Sequence, residues 1–256
     1  MWDRFGSKWE RLARSRPLTA ILTRADSTDG KWELNEFLET GAADARRFVE
    51  DLTRLAPSVP RTRVLDFGCG IGRVARPLAE YFDEVVGVDV SPTMIAEARA
   101  MNRNSRCVFV LNRRRDLRAF ESDRFPVIYS RLVLQHVKPT NVRRYIAEMV
   151  RVLAPDGMLM FQLPEHRGVD SCNAFVHAPV AGGAIKRRVP KSIVRFVRRM
   201  KFFVISRTAR GRMRMFGMPR AEVEAIIRAA GGRIISVQSD SSHGTEGAGF
   251  EYWISK

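Results

Sequence analysis

The sequence predicts an α/β fold in which a doubly wound, mostly parallel sheet of seven strands is covered by helices. Seven apolar runs of strand length are separated, over most of the chain, by segments with helical periodicity. A glycine-rich turn follows the first run directly, which is typical of a strand-to-helix connection. The last two runs, 233–237 and 250–255, have a Ser/Gly-rich loop between them. They are therefore expected to pair antiparallel as a hairpin.

Chain length and composition indicate one globular domain with additional segments. The chain has 256 residues, and 45% of them are hydrophobic, which is enough for a substantial core. Cysteines at 69, 107 and 172 show neither disulfide spacing nor metal-ligand spacing. No apolar run reaches the roughly 18 residues that span a bilayer, and no leader-like segment begins the sequence. We therefore expect a cytoplasmic protein in a reducing compartment, without a metal site.

The positive charge is concentrated in one part of the chain. The formal net charge is +16, and residues 171–221 contain 13 Lys or Arg and no acid. The other 205 residues hold 31 bases and 28 acids, a balance of only +3. Charge concentrated in this way indicates an anionic partner for that segment rather than for the whole molecule.

The first strand and the turn after it form a candidate ligand site. Val64 and Leu65 lead into a carboxylate at Asp66, and glycines follow at 68, 70 and 72. Glycine lets the backbone turn tightly and approach a ligand where a Cβ would collide. A helix is expected to follow at once, with its free N–H groups facing a phosphate or carboxylate.

The second strand adds a carboxylate at an informative distance. The run 85–88 ends at Asp89, which is 23 residues beyond Asp66. At this separation a βαβ unit places an acid on the hydroxyl groups of a ribose. The alternative is that both acids only cap helices. A dinucleotide fingerprint would place a small residue at 73, where this chain has Arg, so nicotinamide is disfavoured.

Four segments resemble the class I S-adenosylmethionine-dependent methyltransferases. Residues 64–72 are similar to motif I of that family, and 85–94 to its ribose-binding strand and the turn that follows. Residues 125–137 resemble the fourth strand, and 151–161 resemble the fifth strand with its preceding turn. The resemblance implies a Rossmann-like fold and an enzyme that uses S-adenosyl-L-methionine. The expected reaction is methyl transfer by in-line displacement to a small-molecule or lipid acceptor.

The resemblance also implies roles for individual residues. Asp66 would bind the methionyl amino group, Asp89 the ribose, and Asn112 the adenine. His136 would act as the catalytic base if the acceptor is a hydroxyl. The full set of implied cofactor-binding residues is Asp66, Gly68, Gly70, Gly72, Asp89, Val90, Met94, Asn112 and Ser130.

Two of these residues have ordinary structural alternatives. Asn112 ends a predicted strand, where asparagine also stabilises turns. His136 could make a structural hydrogen bond near a strand end. The arginines at 113–115 either line the mouth of the site or form a solvated loop.

Two positions depart from the family pattern: Pro126 stands where relatives usually carry Asp, and Asp156 replaces a more usual glycine.

The chain divides into four predicted regions. Residues 1–59 form an N-terminal helical cap, 60–165 the cofactor-binding core, 166–217 a basic insertion, and 218–256 the closing helix and strands. In the cap, 32–41 resembles a segment that folds over the cofactor in some relatives, or it is a helix packed on the domain. Residues 43–55 are expected to form a separate helix.

The basic insertion has three interpretations. Residues 190–205 read as a helix with a cationic face and an apolar face. It could be a solvated cap, or it could meet an anionic membrane surface or lipid acceptor through 186–214, which would make the protein peripheral at the membrane. Nucleic acid is a weaker alternative, because no motif beyond charge supports it. For the whole chain, the other function classes are a nicotinamide-dependent reductase and a non-catalytic binding protein that keeps the fold.

Overall fold

The fold is a seven-stranded sheet, as predicted. The computed structural model describes Glu10, Ala13, Arg14 and residues 34–165, 215–240 and 249–256. The strand order is β3-β2-β1-β4-β5-β7-β6, in which β1 to β5 run parallel and β7 is antiparallel to both β5 and β6. The strands are β1 (Arg63–Phe67), β2 (Glu84–Asp89), β3 (Cys107–Leu111), β4 (Phe125–Ser130), β5 (Leu153–Pro164), β6 (Arg233–Asp240) and β7 (Gly249–Ser255).

Helices cover both faces of this sheet and enclose two apolar cores. The helices α1, α2 and α3 pack on one face, while α4 and α5 pack on the other. Buried strand residues alternate between the two cores, so that Val127 and Tyr129 face the first and Ile128 faces the second. The helices are α1 (Leu34–Leu55), α2 (Ala75–Leu78), α3 (Pro92–Met101), α4 (Pro139–Val152) and α5 (Arg220–Ala229), with a 3₁₀ turn at Leu134–His136.

Helix α1 is longer than the sequence indicated. Residues 34–55 form one continuous helix, whereas two separate pieces were expected at 32–41 and 43–55. The reason is Gly41, which reads as a breaker but lies inside the helix. A Cβ at this position would collide with the backbone carbonyl of Arg73. Glycine is therefore needed for close packing here and does not end the helix.

Both departures from the family pattern lie in the paired strands β4 and β5. Asp156 has a φ of +58°, in the left-handed region where glycine is the usual residue and Asp is among the tolerated alternatives. Pro126 lies at a register shift between Phe125 and Val127 in the β4–β5 pairing. Proline has no N–H to donate, so an irregularity at this place is expected. The preceding helix ends at Val152, three residues before the predicted stop at 155–157.

The helix and hairpin that close the fold are confirmed. Helix α5 buries Val223 and Ile227 and is followed by Gly231 at a φ of +87°. The predicted helix at 190–205 and nearly all of the basic insertion lie outside the described residues, so their interpretations stay predictions from the sequence. Within the parts of the chain that are described, no helix has the length and apolar character needed to cross a membrane.

Candidate active site

A cavity opens at the carboxyl ends of β1, β2, β3 and β4, where parallel α/β sheets bind ligands. The buried residues at its floor come from the glycine-rich turn and from the end of β2. Exposed residues after β3 and before α4 form its mouth. The structure brings most of the predicted site residues to this cavity: Asp66, Gly68, Gly70, Asp89, Val90, Met94, Asn112 and His136.

Asp66 lies at the floor with an incomplete set of hydrogen bonds. Its side chain is buried, and the Ala75 backbone N–H donates to it. Its Oδ2 atom has no hydrogen-bond partner among the described residues. Burial raises the pKa of Asp66 to about 7, and the nearby Asp89 carboxylate adds to this effect, while Arg73 opposes it. Oδ2 of Asp66 can therefore accept a hydrogen bond from a cationic group of a ligand.

Helix α2 differs from the expected helix after the glycine-rich turn. It has only four residues, Ala75–Leu78. The N–H group of its first residue donates to Asp66 and does not face a ligand. The ligand-facing helix N-terminus predicted at this place is therefore wrong, and the carboxylate occupies that position.

Asp89 has the opposite arrangement, because the backbone holds both of its oxygens. The Gly70 N–H donates to Oδ2 over 3.0 Å, and the Ser91 N–H donates to Oδ1 over 2.8 Å. Burial raises the pKa of Asp89, and these N–H groups counteract the increase. The Val90 N–H also donates to this carboxylate, which has about four acceptor positions and can therefore still accept from a ligand. Asp89 is thus a fixed acceptor for donors such as the hydroxyls of a ribose.

Two predicted cofactor-binding residues do not line the cavity. Gly72 has a φ of +80°, and a Cβ there would lie 2.7 Å from the ring of Phe109. It serves the turn and its packing rather than a ligand. Ser130 is fully buried, and its hydroxyl donates to the Phe67 carbonyl over 3.2 Å, which ties β4 to β1. Both assignments as cavity residues are therefore corrected.

The side chain of Asn112 is used within its own turn. Its Oδ1 accepts from the Arg114 N–H over 3.0 Å, and its Nδ2 donates to the Asp116 carbonyl over 2.9 Å. Asn112 lines the cavity, but both ends of its amide are engaged. Of the two alternatives for this residue, the geometry favours turn stabilisation.

The remaining predicted residues frame the cavity wall. Met94 is buried in the first turn of α3, and its N–H donates to the Oγ atom of Ser91, which caps that helix as predicted. Val90 is half-buried beside Asp89. His136 is half-buried at the end of the 3₁₀ turn, with its Nε2 atom 3.2 Å from Nε2 of Gln135.

A buried ion-pair cluster that the sequence did not reveal holds helix α1 against the site. Asp44 pairs with Arg73, at 2.7 Å, and with Arg131, at 2.5 Å. Both arginines line the cavity, and their side chains are only 6% and 9% exposed. Arg73 also donates to the Thr40 hydroxyl over 3.1 Å. One carboxylate on α1 thus pairs with two cations from different loops of the sheet, and Arg131 also lies 3.9 Å from the Asp240 carboxylate.

A second unpredicted contact joins the N-terminal part of the chain to α3. Glu10 accepts from the hydroxyls of Ser91 and Thr93 at 2.7 and 2.6 Å, and from the Thr93 N–H at 3.2 Å. Burial would raise the pKa of Glu10, but hydrogen bonds from Thr93, Ser91 and Arg14 outweigh burial and lower it to about 2. An acid in this position stabilises the helix N-terminus beside the glycine-rich turn.

Three consecutive arginines stand at the mouth of the cavity. Arg113, Arg114 and Arg115 are exposed, and all three line the cavity, together with Lys138. Of the two alternatives for this loop, the structure therefore shows the one in which it borders the site. The sequence could not decide between them, because a run of arginines is also typical of a solvated loop.

Comparison with known proteins finds a methyltransferase domain within this chain. A family model described as a methyltransferase domain matches residues 65–161. The chain is 34% identical over 142 residues to a trans-aconitate 2-methyltransferase of Streptomyces avermitilis, covering 52% of this chain and 51% of that protein. It is 31% identical over 130 residues to a cyclopropane-fatty-acyl-phospholipid synthase of Escherichia coli, covering 50% and 32%. The matched segment thus spans between a third and a half of these relatives.

Solved structures share the fold over a larger part of the chain. A magnesium protoporphyrin IX methyltransferase from Synechocystis, with bound S-adenosylmethionine, has a TM-score of 0.58 and 16% identity, over 98% of this chain and 97% of that one. A methyltransferase from Leishmania major has a TM-score of 0.61 and 13% identity, over 98% and 82%. Residues 65–161 therefore match a methyltransferase domain, and the chain shares the fold of solved S-adenosylmethionine-dependent methyltransferases.

Proposed function

We propose that the chain transfers a methyl group from S-adenosylmethionine to a small-molecule or lipid acceptor. The observation that carries this proposal is the pair of carboxylates at the floor of the cavity. Asp66 has an oxygen without a hydrogen-bond partner among the described residues, and both oxygens of Asp89 are fixed by backbone N–H groups. An ammonium group fits the first, and two vicinal hydroxyls fit the second.

The charges of the residues at the floor also fit this cofactor. Burial favours the protonated form of Asp66. A cationic ammonium group beside this residue would favour the ionised carboxylate again. Gly68 and Gly70 adopt φ values of +83° and +54°, which keep the turn compact beside the ligand. Val90 and Met94 would provide an apolar wall for adenine.

The acceptor would enter past His136. When bound, S-adenosylmethionine supplies an activated methyl group. The domain has to position the acceptor and to exclude water, which are the main sources of rate enhancement in such a displacement. We assign His136 as the base that takes a proton from a hydroxyl acceptor, because its imidazole lines the cavity.

The names of the relatives support an acceptor class that includes both small molecules and lipids. They refer to trans-aconitate in one case and to a fatty-acyl phospholipid in another, that is, to a small carboxylic acid and to a lipid. The chain matches only part of each, so neither acceptor is assigned to it. Arg73, whose side chain fills the place of the third small residue in a dinucleotide fingerprint, argues against the reductase alternative.

Replacing Asp89 tests the proposal directly. Asp89→Ala should weaken the binding of S-adenosylhomocysteine by about 30-fold, or ~2 kcal/mol, because two charge-assisted hydrogen bonds are lost. Isothermal titration calorimetry measures this affinity. The matched control is Asp83→Ala, an exposed acid just before β2, which should bind like the parent. Equal affinity in parent and Asp89→Ala, or binding of NADH in place of the adenosyl ligand, would refute the proposed function.

A further inference from the structure

We infer that the hydroxyl of Tyr129 binds the carboxylate of the methionyl group of S-adenosylmethionine, next to the ammonium group on Asp66. This inference rests on the proposed function, because it concerns the same cofactor in the same cavity. It makes Tyr129 a further cofactor-binding residue. It also predicts that the site selects adenosyl ligands that carry an amino-acid carboxylate over ligands that end in an amine alone.

The pairing of two strands places Tyr129 beside Asp66. Asp66 on β1 and Tyr129 on β4 are partners in the parallel register of these strands. Paired residues on neighbouring strands have their side chains on the same face of the sheet, and the strands are about 4.8 Å apart. Both residues line the cavity. Tyr129 is therefore adjacent to the carboxylate that would hold the ammonium group.

The hydroxyl of Tyr129 is buried without a hydrogen bond. The residue is only 2% exposed, and its hydroxyl oxygen has no hydrogen-bond partner in the part of the chain that the structure describes. The ring is held edge-on against Phe48, with 4.8 Å between the centroids. A buried hydroxyl without a partner costs free energy, and an accepting atom of a ligand would remove this cost.

A second buried donor at the end of β4 has the same property. Arg131 follows Tyr129 by two residues and also lines the cavity. One end of its guanidinium group pairs with Asp44, but its Nε atom has no hydrogen-bond partner among the described residues. Two buried donors at one strand end thus favour a ligand group that accepts hydrogen bonds.

The glycine-rich turn uses its own donors within the protein. The N–H groups of Gly68 and Cys69 both donate to the Val88 carbonyl, at 2.8 and 3.0 Å. The Gly70 N–H donates to the Asp89 carboxylate. A carboxylate bound beside this turn therefore needs donors from side chains, and the end of β4 provides them.

The chemistry of the cofactor identifies the accepting group. The ammonium and carboxylate groups of its methionyl part are attached to one carbon atom. If the ammonium lies on Asp66, the carboxylate must lie close by. Burial raises the pKa of Tyr129, and the Asp44 carboxylate adds to this effect, so the hydroxyl keeps its proton and stays a donor. A hydrogen bond to an ionised acceptor is stronger than one between neutral groups.

The test compares two ligands by isothermal titration calorimetry on the full chain. One is S-adenosylhomocysteine, and the other is its decarboxylated form, which keeps the adenosyl and ammonium groups. The parent should bind S-adenosylhomocysteine at least about tenfold more tightly than the decarboxylated ligand. Tyr129→Phe should bind S-adenosylhomocysteine at least about tenfold more weakly than the parent does, and the decarboxylated ligand with unchanged affinity. Such an interaction between substitution and ligand isolates the contact.

Tyr252→Phe is a matched control. Tyr252 is also fully buried, and its hydroxyl also has no hydrogen-bond partner among the described residues, but it does not line the cavity. This variant should bind both ligands like the parent. Both Phe variants should unfold at a urea concentration no lower than the parent does, because neither substitution removes a hydrogen bond within the described part of the protein.

Four outcomes would overturn the inference. The parent might bind both ligands equally well, or Tyr129→Phe might bind S-adenosylhomocysteine like the parent. Tyr129→Phe might also lose the same affinity for both ligands, or Tyr252→Phe might lose as much affinity for S-adenosylhomocysteine as Tyr129→Phe does. Failure of the parent to bind S-adenosylhomocysteine at all would instead refute the proposed function.

Discussion

At the scale of single residues, the two carboxylates of the site differ although each stands at the end of a neighbouring strand. Asp89 receives three backbone N–H groups, from Gly70, Ser91 and Val90, whereas Asp66 receives one and leaves Oδ2 without a partner among the described residues. Burial raises the pKa of both carboxyl groups, and that of Asp66 rises to about 7. The protein holds a costly buried charge at the place where a cationic ligand group is expected.

Removing this charge should stabilise the protein without ligand. Asp66 titrates near 3.8 when unfolded and near 7 when folded. The folded state thus binds more protons between these values, and the free energy of unfolding falls as pH rises through them. Asp66→Asn should be more stable than the parent at pH 8, by up to about 4 kcal/mol, since one pKa unit is worth about 1.4 kcal/mol.

Urea unfolding of parent and variant at pH 4 and pH 8 measures this difference. At pH 4 the gap should nearly close, because Asp66 is then protonated in the folded parent. The same variant should lose affinity for S-adenosylhomocysteine at both pH values. An equal difference in the free energy of unfolding at pH 4 and pH 8 would show that the charge of Asp66 does not destabilise the folded protein.

The sequence predicted those site residues that belong to a motif within one short segment of the chain. Asp66, Asp89 and the glycines stand in a spacing that reflects a single βαβ unit. Asp44 gave no such signal, because its partner Arg131 is 87 residues away and the pair exists only in the folded chain. Ser130 was misassigned for a related reason, since which face a strand-end side chain occupies depends on the neighbouring strands.

At the scale of elements, helix α1 illustrates how a tertiary contact decides a boundary. Gly41 was expected to separate two segments, but the helix continues through it because the Arg73 carbonyl packs at that point. Asp44, one turn further on, pairs with Arg73 and Arg131. Helix α1 is therefore joined to the glycine-rich turn and to the end of β4 through adjacent turns.

Loss of this junction should cost far more than loss of an ordinary surface pair. Asp44→Ala leaves two largely buried guanidinium groups without their shared carboxylate, and we expect a loss of about 3 kcal/mol in the free energy of unfolding. Asp51→Ala on the same helix removes an acid whose partners, Arg54 and Arg47, are half exposed or more. It should cost less than about 1 kcal/mol. Equal losses in urea unfolding would show that the Asp44 cluster is no different from a surface pair.

At the scale of the whole molecule, strand β7 contributes to both cores. Trp253 packs on one face against Phe48, with 5.5 Å between ring centroids, while Tyr252 and Ile254 pack on the other. The sequence predicted this strand and its antiparallel pairing from an apolar run and a loop. It could not show that the strand lies inside the sheet, between β5 and β6, because strand order is set by contacts between distant segments.

Trp253 should therefore be among the most sensitive positions in the chain. Trp253→Ala removes a fully buried ring, and we expect a loss of about 3 to 5 kcal/mol in the free energy of unfolding, measured by circular dichroism in urea. Val108→Ala, at an exposed position on β3, is the control and should cost less than about 1 kcal/mol. A small effect at Trp253 would mean that the core on the α1 face tolerates a large cavity.

The interior place of β7 has a consequence for the synthesis of the chain. Strand β5 ends at 164 and β7 begins at 249, so the ribosome must add a further 84 residues before the partner of β5 starts to emerge. Until then, the edge of β5 carries an apolar segment, 158–163, with unpaired backbone groups. A nascent chain at this stage resembles an aggregation-prone intermediate. Chains that terminate within this interval would need a chaperone, although the part that contains β1 to β5 has already been made.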